Sequence, residues 1–470
     1  MRTGVERKGG TMARAVTAGE TSLPPGPRLP KAVQDAAALA RLQPFLRRCQ
    51  RRYGDLFTLR LHGFGDVVAV GEPALVKRTF LASPTTLHSG EGSPLGPILG
   101  ANSLLVIDRD VHMRQRKLLL PPFHGERMRA YEPLIERITR EEIARWPEGD
   151  AFPVAPTTMR ITLRAILQAV FGARGEVLRE LERLLPRFTT LGSALTPVPQ
   201  LHRDLGRWSP WGRFKRMRAE VDALCDRLID EARRDPALAE RPDVLALLAQ
   251  ATDEDGAPMT NAEIRDQLMT MLAAGHETTA AQLAWAVERL RRQPEALTRL
   301  VAEVDAGGRA WRDATIREVQ RTRPVIMFTS RLVKEPFELG GHLLPQGTRI
   351  VLPAALTHYD ARFFPEPARF DPQRFLDRKP DTYTWIPFGG GVRRCIGASF
   401  AHMEMDVVLR TILQTWELLP AGPGEPPERL RFRGVAYAPS RGGEARVRRR
   451  RRDRAADGAA PTKRAAAAVG

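Results

Sequence analysis

One cysteine lies in a segment whose composition suits a reactive or metal-binding thiolate. The segment reads FGGGVRRCIG, Phe388 to Gly397, and places three glycines and two arginines before Cys395. Glycines let the backbone adopt positive φ and lie close against something flat. The residues after Cys395 have the apolar spacing of a helix, so we expect the thiol at a helix N-terminus. That terminus, Arg393 and Arg394 should each lower the thiol pKa, which predicts a thiolate nucleophile or metal ligand.

A second cluster of polar residues lies inside an apolar helix. The stretch LMTMLAAGHETTAAQLAWAV, Leu268 to Val287, is apolar almost all round, which is typical of a buried helix. Its middle contains Gly275, Glu277 and Thr278. A buried carboxyl is costly unless it is paired or functional, and a threonine hydroxyl can bond to the preceding turn and open it. The pattern therefore indicates either a functional site or a kinked core helix with a partly solvated glutamate.

The cysteine segment resembles the signature of the cytochrome P450 family of haem-thiolate enzymes. Phe388, Gly391, Arg393, Cys395 and Gly397 match the family pattern Phe-x-x-Gly-x-Arg-x-Cys-x-Gly. The resemblance implies that Cys395 is the axial ligand of the iron of haem b and that Arg393 pairs with a haem propionate. It also implies that Phe388 packs near the sulfur and keeps water away. The alternative is a helix cap with an inert, buried cysteine.

The helical cluster AGHETT resembles the oxygen-activation motif of the same family. That resemblance assigns Ala274 and Gly275 to the haem face. It makes Glu277 and Thr278 an acid–alcohol pair that delivers protons to dioxygen. Cleavage of the O–O bond consumes two protons, and a relay can supply them without flooding the pocket.

Further basic residues match the family's contacts to the haem propionates. His112 and Arg116 lie one helical turn apart and fit its propionate-binding helix in the form His-x-x-x-Arg. Arg331 matches another propionate contact, from a β region. A surface charge is the alternative for each. No comparable argument applies to His358 and His402, which we interpret as structural.

A set of charged residues resembles the structural triad that supports the cysteine loop in this family. Glu318 and Arg321 lie three residues apart on one predicted helical face, a pattern that alone usually means a surface ion pair. Arg374 in PQRF supplies the third member. Gln373 replaces the acid that usually precedes this arginine, and we expect no serious loss because the arginine carries the role.

The order of these motifs fits one large domain over residues 23–440. A helix is predicted to end near Tyr53, and two short strands are predicted around a glycine-bearing turn after it. Helical patterns dominate residues 110–306, and a β-like stretch covers residues 325–352. The predicted fold class is mainly α with minor β (α+β). The resemblance implies the cytochrome P450 fold, a helical haem-enclosing body with small β-sheets.

Both ends of the chain are predicted to lie outside this domain. Residues 1–22 are polar, and residues 441–470 contain ten Lys or Arg against three acidic residues, within a net charge of +18 for the chain. Low complexity and the absence of aromatics predict a disordered tail. We interpret it as solvated rather than as a tether to nucleic acid. Removal of residues 446–470 is therefore expected to leave turnover unchanged.

The number and spacing of the cysteines indicate in which cellular compartment the protein is expected. Cys49, Cys225 and Cys395 are far apart and odd in number, which argues against a disulfide framework and favours a reducing cytoplasm. The first residues lack the apolar core of a signal peptide. No run of 18 apolar residues occurs, so no membrane span is expected.

The resemblance implies an oxygen-dependent monooxygenase that acts on a hydrophobic small molecule, such as a terpenoid, fatty acid, steroid or related compound. One oxygen atom is inserted into the substrate and the other is reduced to water. Electrons are expected from a ferredoxin or flavodoxin with its NAD(P)H reductase, steered to a basic face around the cysteine loop. One alternative is a haem-thiolate peroxygenase or an oxygen-independent isomerase or dehydratase. Another is a non-enzymatic binding protein, for which the arginine-rich end is the only support.

The resemblance also suggests where the substrate is bound. Four candidate regions are rich in Leu, Pro, Trp and Phe, as expected of an apolar pocket. They are the loop from Leu87 to Leu105, the region from Arg187 to Trp211, the residues from Val325 to Phe328, and the turn near Tyr437.

Overall fold

The computed structural model describes residues 21–123, 125–172, 175–195, 201–252, 256–433 and 436–450. Most of these residues are helical. The α-helices of the described residues are α1 (Lys31–Tyr53), α2 (Pro73–Leu81), α3 (Gly96–Leu99), α4 (Arg109–Leu119), α5 (Glu126–Arg129), α6 (Glu132–Ile143), α7 (Ala155–Phe171), α8 (Glu176–Leu195), α9 (Pro210–Arg234), α10 (Val244–Gln250), α11 (Asn261–Arg291), α12 (Pro294–Asp305), α13 (Ala310–Thr322), α14 (Ala354–His358), α15 (Arg374–Asp377) and α16 (Ala398–Thr415).

The strands are short and lie mainly near the two ends of the chain. In order they are β1 (Leu56–Leu61), β2 (Gly65–Val70), β3 (Leu87–His88), β4 (Phe152–Pro153), β5 (Phe328–Val333), β6 (Phe337–Leu339), β7 (His342–Leu344), β8 (Arg349–Pro353), β9 (Trp416–Leu418), β10 (Leu430–Arg433), β11 (Ala436–Pro439), β12 (Glu444–Ala445) and β13 (Val447–Arg449). The predicted class, mainly α with minor β, is confirmed.

The largest sheet joins the first strands of the chain to strands from the second half. Its order is β1-β2-β8-β5-β3, with β2 and β8 parallel and the other neighbours antiparallel. The strands β1 and β2 form the hairpin expected from the glycine-bearing turn, and β5 to β8 lie in the β-like stretch. This sheet matters for the site because β5 carries Arg331.

The helix α11 runs through the main apolar core and packs along α7. It begins at a capping box, in which the Thr260 hydroxyl accepts from the Glu263 N–H and the Glu263 carboxylate accepts from the Thr260 N–H. Its sequence is apolar on most sides because it is buried on most sides. No helix in the described ranges is both long and apolar enough to cross a membrane.

The end of the described chain corrects the predicted domain boundary. The strand β12 pairs with β4, and β13 pairs with β9, where Val447 is fully buried. Arg450 forms an ion pair with Asp305 at 2.6 Å. The prediction of a disordered tail from Arg441 is therefore wrong for residues 441–450, because their strand partners are remote in sequence and local composition could not reveal them. The remainder of the predicted tail and residues 1–20 lie outside the described residues.

Candidate active site

The cysteine loop closes on itself immediately before α16. The Cys395 N–H donates to the Phe388 carbonyl at 3.0 Å, and two of the three glycines, Gly389 and Gly391, have φ of +65° and +61°. The helix begins at Ala398, so the thiol lies just before its N-terminus, as expected. The Cys395 side chain keeps accessible surface although protein atoms surround it on most sides. The sulfur therefore faces an internal space and is open to a ligand.

The protonation of this thiol differs from the prediction. Burial raises the pKa of Cys395, and the Gly397 N–H, Arg394 and Arg116 lower it without offsetting that burial. The prediction of a lowered pKa is thus wrong for the polypeptide alone, because the helix end and the cations act on a thiol that has lost its hydration. A metal cation lowers the pKa of a thiol that coordinates it, so a cation bound at Cys395 would favour the thiolate.

The glycines of the loop permit close packing against another part of the protein. A Cβ on Gly390 would lie 2.4 Å from the ring of Phe80 in α2, and one on Gly391 would lie 1.9 Å from the Phe80 carbonyl oxygen. The missing side chains of these two glycines are thus explained by packing against α2, and contact of the Gly391 backbone with the cofactor stays a prediction. A Cβ on Gly397 would meet the Cys395 sulfur at 4.0 Å, so that glycine does keep the space beside the thiol clear.

The Arg393 guanidinium is held by protein groups. It forms an ion pair with Asp108 and donates to the carbonyls of Leu104 at 3.0 Å and Ile107 at 2.6 Å. The Asp108 carboxylate also accepts from the N–H groups of residues 89–91. Asp108, the residue before α4, is thus a partner of Arg393 that the sequence did not predict, and pairing of Arg393 with a propionate stays a prediction. The contact fixes the loop before α4 against the cysteine loop.

Further basic side chains gather beside this pair. Burial, together with the charges of Arg393 and Arg116, lowers the pKa of His112 to about 3, so this buried imidazole is neutral. Burial and Arg393 lower the pKa of Arg331 to about 10. Burial also lowers the pKa of Arg116. Asp108 is the only carboxylate among the groups whose charges shift these pKa values. His112, Arg116, Arg331 and Arg393, each predicted to contact a propionate, thus lie close enough for the three arginines to act on the imidazole.

Two residues of α11 share an open face of that helix. Ala274 is exposed, and the Thr278 hydroxyl donates to its carbonyl at 2.7 Å. This bond does not open the helix, which continues unbroken to Arg291. Glu277 is half-buried beside His276, and no described hydrogen bond joins its carboxylate to Thr278. The alcohol of the predicted pair therefore faces open space, whereas the acid and the alcohol are neighbours only along the chain.

Gly275 allows two helices to pack closely. A Cβ at this position would lie 2.9 Å from Cγ1 of Ile166 in α7. The missing side chain thus allows α7 to approach α11. The predicted place of Gly275 on the haem face stays a prediction.

A cleft connects α11 with the cysteine loop. Its lining combines polar groups from α11 and α13 with apolar groups from the loop and α16. The lining residues are Thr278, Thr279, Gln282, Gln320, Val325, Pro387, Phe388, Ala401 and Met405. Trp385 packs edge-on against the Phe388 ring at 6.2 Å and holds it in this wall. The two predicted motifs therefore border one space.

The predicted structural triad is formed behind the loop. The guanidinium of Arg321 donates to both Glu318 oxygens at 2.7 and 2.8 Å, and Arg374 lies 3.4 Å from the same carboxylate. Glu318 and Arg321 are fully buried, so the pair is not the surface ion pair that the spacing alone suggested. His358 bonds to the Arg321 carbonyl and accepts from the Ile386 N–H at 2.9 Å, which ties the triad to the segment before Phe388.

Two of the four candidate substrate regions meet beside the cleft. Val325 lines it, and the Tyr437 N–H donates to the Val325 carbonyl at 2.8 Å. The Leu87–Leu105 loop is tied to α11, since the Asn102 N–H donates to Asp266 at 3.1 Å and the Thr270 hydroxyl donates to Ser103 at 2.7 Å. The Arg187–Trp211 region is described except for residues 196–200.

Some residues of the site were not predicted. Asp108 and Phe80 act through tertiary contacts with segments far along the chain. A weak local signal existed for Asp108, an acid at the N-cap position of the helix that carries His112. His402 is structural as predicted and bonds to Asp313 of α13.

Comparisons with known proteins identify one family. A family model of cytochrome P450 matches residues 24–443. The chain is 48% identical to cytochrome P450 138 of Mycobacterium bovis over 91% of its own length and 97% of that protein. It is 43% identical to cytochrome P450 135B1 of Mycobacterium tuberculosis over 91% of each chain. Its fold is similar to that of the retinoic acid-bound cyanobacterial CYP120A1, with a TM-score of 0.78, 22% identity and coverage of 92% and 100%. The cytochrome P450 CYP102L1 gives a TM-score of 0.78 at 25% identity, with coverage of 92% and 100%.

Proposed function

Because the chain belongs to the cytochrome P450 family, we propose that Cys395 is the thiolate ligand of its haem b and that the enzyme oxygenates a hydrophobic small molecule. Monooxygenase activity and haem b follow from the family. The roles of individual residues and the class of substrate are what we propose. The observation that carries it is the accessible Cys395 thiol beside Arg116, which shares a cluster with the buried Arg331; neither guanidinium forms an ion pair among the described residues.

The charges around Cys395 fit a group that brings its own carboxylates. Arg331 is 6% exposed, and its guanidinium donates only to the carbonyl of Ser330 at 2.9 Å within the described residues. Arg116 donates no side-chain hydrogen bond to the described part of the chain. A buried guanidinium without an anion, as at Arg331, costs on the order of several kcal/mol. Arg116 is only partly buried, so the cost there is smaller. The two propionates of haem b would neutralise Arg116 and Arg331, with neutral His112 able to donate a hydrogen bond.

The residues on the sulfur side would hold and insulate the ligand. The Gly397 N–H points at the sulfur and stabilises its charged form. Phe388 shields the sulfur from water, and Trp385 fixes the position of its ring. When bound, haem supplies the iron at which dioxygen is activated, and thiolate donation favours O–O cleavage. The polypeptide would thus supply the sulfur ligand, the N–H group that donates to it and the aromatic ring that keeps water away from it.

The residues on the α11 side would handle protons. The Thr278 hydroxyl donates to the Ala274 carbonyl and lines the cleft, so its oxygen lone pairs can accept a hydrogen bond there. Glu277 is the nearest acid along the chain and has partial access to solvent. We propose that Thr278 orders proton donors at the dioxygen site and that Glu277 replenishes them.

The substrate and the electron donor complete the proposal. The wall of the cleft near Val325, Phe388 and Met405 is apolar, which supports a hydrophobic substrate of the terpenoid, fatty-acid or steroid type. Electrons would come from a separate ferredoxin or flavodoxin. Arg394 is exposed beside Cys395, and Arg114 and Lys117 are exposed on the neighbouring helix α4. This basic face complements an acidic partner.

The carbon monoxide difference spectrum of the reduced, haem-loaded protein tests the thiolate. We expect the red-shifted Soret band of thiolate ligation, its loss in Cys395→Ser, and its retention in Cys49→Ala, which removes another buried cysteine. A band that survives Cys395→Ser would disprove the assignment. Substrate-dependent oxygen uptake with NAD(P)H and a ferredoxin would then separate a monooxygenase from a peroxygenase or an isomerase.

A further inference from the structure

Two buried threonines of α7 donate hydrogen bonds to the backbone of α11. The Thr158 hydroxyl lies 3.0 Å from the Ala280 carbonyl oxygen, and the Thr162 hydroxyl lies 3.0 Å from the His276 carbonyl oxygen. Both threonine side chains are fully buried. Both carbonyls lie inside α11, where they also accept from the N–H groups of the following turn. The two bonds are therefore additional to the helix ladder, and they fix the position of α11 relative to α7.

Two other buried threonines bond only to their own helices within the described ranges. Thr139 of α6 and Thr411 of α16 each donate at 2.7 Å to the carbonyl four residues earlier. In α7 the corresponding distances are longer, 3.1 Å from Thr158 to Ala155 and 3.0 Å from Thr162 to Thr158. A hydroxyl has one proton, so these distances fit a proton shared between a carbonyl of α7 and a carbonyl of α11.

The two bonds belong to a longer contact between antiparallel helices. Thr158, Thr162 and Ile166 follow one another at intervals of four residues, so they share one face of α7. At Ile166 the helices approach closely, since a Cβ on Gly275 would lie 2.9 Å from the Ile166 Cγ1. Hydrogen bonds thus fix the register of α7 on α11, and close packing at Gly275 fixes the distance between the two helices.

The segment of α11 that α7 holds also carries the hydroxyl that borders the cleft. Thr278 lies midway between His276 and Ala280, both of which are buried. Residues two apart in an α-helix point about 200° apart, so Thr278 faces away from the side that α7 covers. A donor that draws a carbonyl outward tilts its peptide group and bends the helix locally. The place of the Thr278 oxygen in the cleft therefore depends on the bonds from α7.

We propose that Thr158 and Thr162 are positioning residues for oxygen activation. By holding the carbonyls of His276 and Ala280, they set where the Thr278 oxygen lies in the cleft. Neither threonine is among the residues that line the cleft, so both act through the backbone of α11. The inference rests on the proposed monooxygenase function and on the role proposed for Thr278. Its first test therefore uses a readout that does not depend on turnover.

The stretching frequency of carbon monoxide in the reduced, haem-loaded protein reports on polar groups beside the bound gas. The valine pair, Thr158→Val with Thr162→Val, removes both hydroxyls and nearly preserves the side-chain shape. We expect its band to shift and broaden, because the Thr278 oxygen no longer has one fixed place. The serine pair, Thr158→Ser with Thr162→Ser, keeps the hydroxyls and should retain the wild-type band. Thr139→Val, which removes a buried hydroxyl that bonds only within α6, is the matched control.

A combination with Thr278→Ala separates positioning from general damage to the fold. If the α7 threonines act through the Thr278 oxygen, the valine pair should shift the band in the wild-type background and leave it unchanged in the Thr278→Ala background. A wild-type band in the valine pair would overturn the proposal. An equal shift in both backgrounds, or a similar shift in Thr139→Val, would also overturn it, because the effect would then not pass through Thr278.

Substrate-free oxygen reduction provides the second readout, with a plant-type ferredoxin, its reductase and NADPH as the electron source. Reduction to hydrogen peroxide uses one NADPH per dioxygen, and reduction to water uses two. We expect water formation in the valine pair to be roughly three- to tenfold slower than in wild type, with recovery in the serine pair. Wild-type rates in the valine pair would reject a role in oxygen activation.

Failure of the proposed function would look different. A wild-type protein without the thiolate band and oxygen uptake would contradict the monooxygenase assignment, and wild-type water formation in Thr278→Ala would contradict the role of Thr278. In the second case the carbon monoxide band of the valine pair still decides whether α7 sets the place of the Thr278 oxygen.

Discussion

Thr278 illustrates how a single hydrogen bond sets the chemistry of a side chain. Its hydroxyl proton is committed to the Ala274 carbonyl, so in the cleft its oxygen acts as an acceptor. An acceptor at this position can orient a proton donor such as water, but it does not release a proton by itself unless the bond to Ala274 breaks. The hydroxyl is therefore a positioning group, and its effect should appear in how efficiently oxygen is used.

Replacement of this hydroxyl should uncouple the enzyme. We expect Thr278→Ala to bind haem and show the thiolate band but to divert reducing equivalents to hydrogen peroxide, with product formation reduced roughly 10- to 100-fold. Thr278→Ser keeps the hydroxyl and should stay within a few-fold of wild type. Peroxide and product are measured together per NADPH consumed. Full coupling in Thr278→Ala would contradict the assigned role.

Individual residues also show what the sequence can predict. Cys395 and Arg116 lie close together, and Arg331 lies close to Arg393; each of these residues was found in the sequence because it lies in a short motif whose chemistry is local. The pKa of Cys395 and the partner of Arg393 were not predicted, since burial and the Asp108 contact arise only when distant segments fold together. Residue type predicts which groups gather, whereas desolvation and pairing depend on tertiary structure.

At the scale of elements, α2 and the cysteine loop pack so closely that a side chain at Gly391 has no room. Gly391 has φ of +61°, and a Cβ there would lie 1.9 Å from the Phe80 carbonyl oxygen. Gly341 has φ of +79°, and nothing lies within 4 Å of its would-be Cβ. Two glycines with similar backbone strain thus differ in their neighbours, which provides a matched comparison.

Alanine at these two positions should separate backbone strain from packing. Gly341→Ala should cost about 1 kcal/mol from the left-handed conformation alone. Gly391→Ala should cost about 3 kcal/mol or more, because the backbone of α2 must also move. Urea unfolding at equal haem loading measures both. Equal losses in the two variants would show that Phe80 does not constrain the loop.

The helix α13, which lies behind the cysteine loop, contains a buried ion pair that should stabilise the fold. Glu318→Gln keeps the shape of the side chain but leaves Arg321 buried without its anion, which should cost about 3 kcal/mol of unfolding free energy and lower haem retention. Glu366→Gln removes an exposed pair with Arg369 and should change stability by less than about 0.5 kcal/mol. The same urea experiment compares them. A similar small loss in both would mean that burial adds nothing to the Glu318 pair.

The sequence and the structure differ in an informative way for this element. The spacing of Glu318 and Arg321 predicts that they share a helical face, and that prediction is confirmed by the bidentate bond. The spacing does not reveal that His358 and the carbonyls of residues 358, 367 and 369 enclose the pair. Contacts within one helix can be read from its period, whereas the loop that wraps around it cannot.

For the whole molecule, the distribution of positive charge predicts where an electron donor binds. We expect Lys117→Glu and Arg394→Glu to raise the apparent KM for an acidic ferredoxin several-fold at low salt and to flatten its salt dependence. Arg51→Glu makes the same charge change at an exposed position of α1, which packs against β1 and α14, and should have little effect. Steady-state reduction at several ionic strengths measures this. Equal effects of all three variants would indicate nonspecific attraction.

Residues 441–450 are held against distant parts of the chain by buried charged groups. The buried carboxylate of Glu428 accepts from the N–H groups of Arg441, Gly443 and Glu444. The buried guanidinium of Arg291 donates to the Glu444 carbonyl at 2.5 Å. Removal of this segment would take three N–H donors from Glu428 and one acceptor from Arg291, which would keep its pair with Glu425, at about 1–3 kcal/mol for each lost set of bonds.

Truncation tests whether residues 441–450 stabilise the fold, as these contacts indicate. The sequence alone had suggested that residues 446–470 are dispensable. A chain that ends at Ser440 should lose haem-loaded folded protein and unfold at a clearly lower temperature, because β12 and β13 no longer cover β4 and β9. A chain that ends at Arg450 keeps the bonds to Glu428 and Arg291 and should unfold at a higher temperature than the shorter chain. The thiolate-band yield and the thermal midpoint of each are compared with the full chain. Equal midpoints for the two truncated chains would show that the described strands contribute no stability, and the tail boundary predicted from composition would then stand.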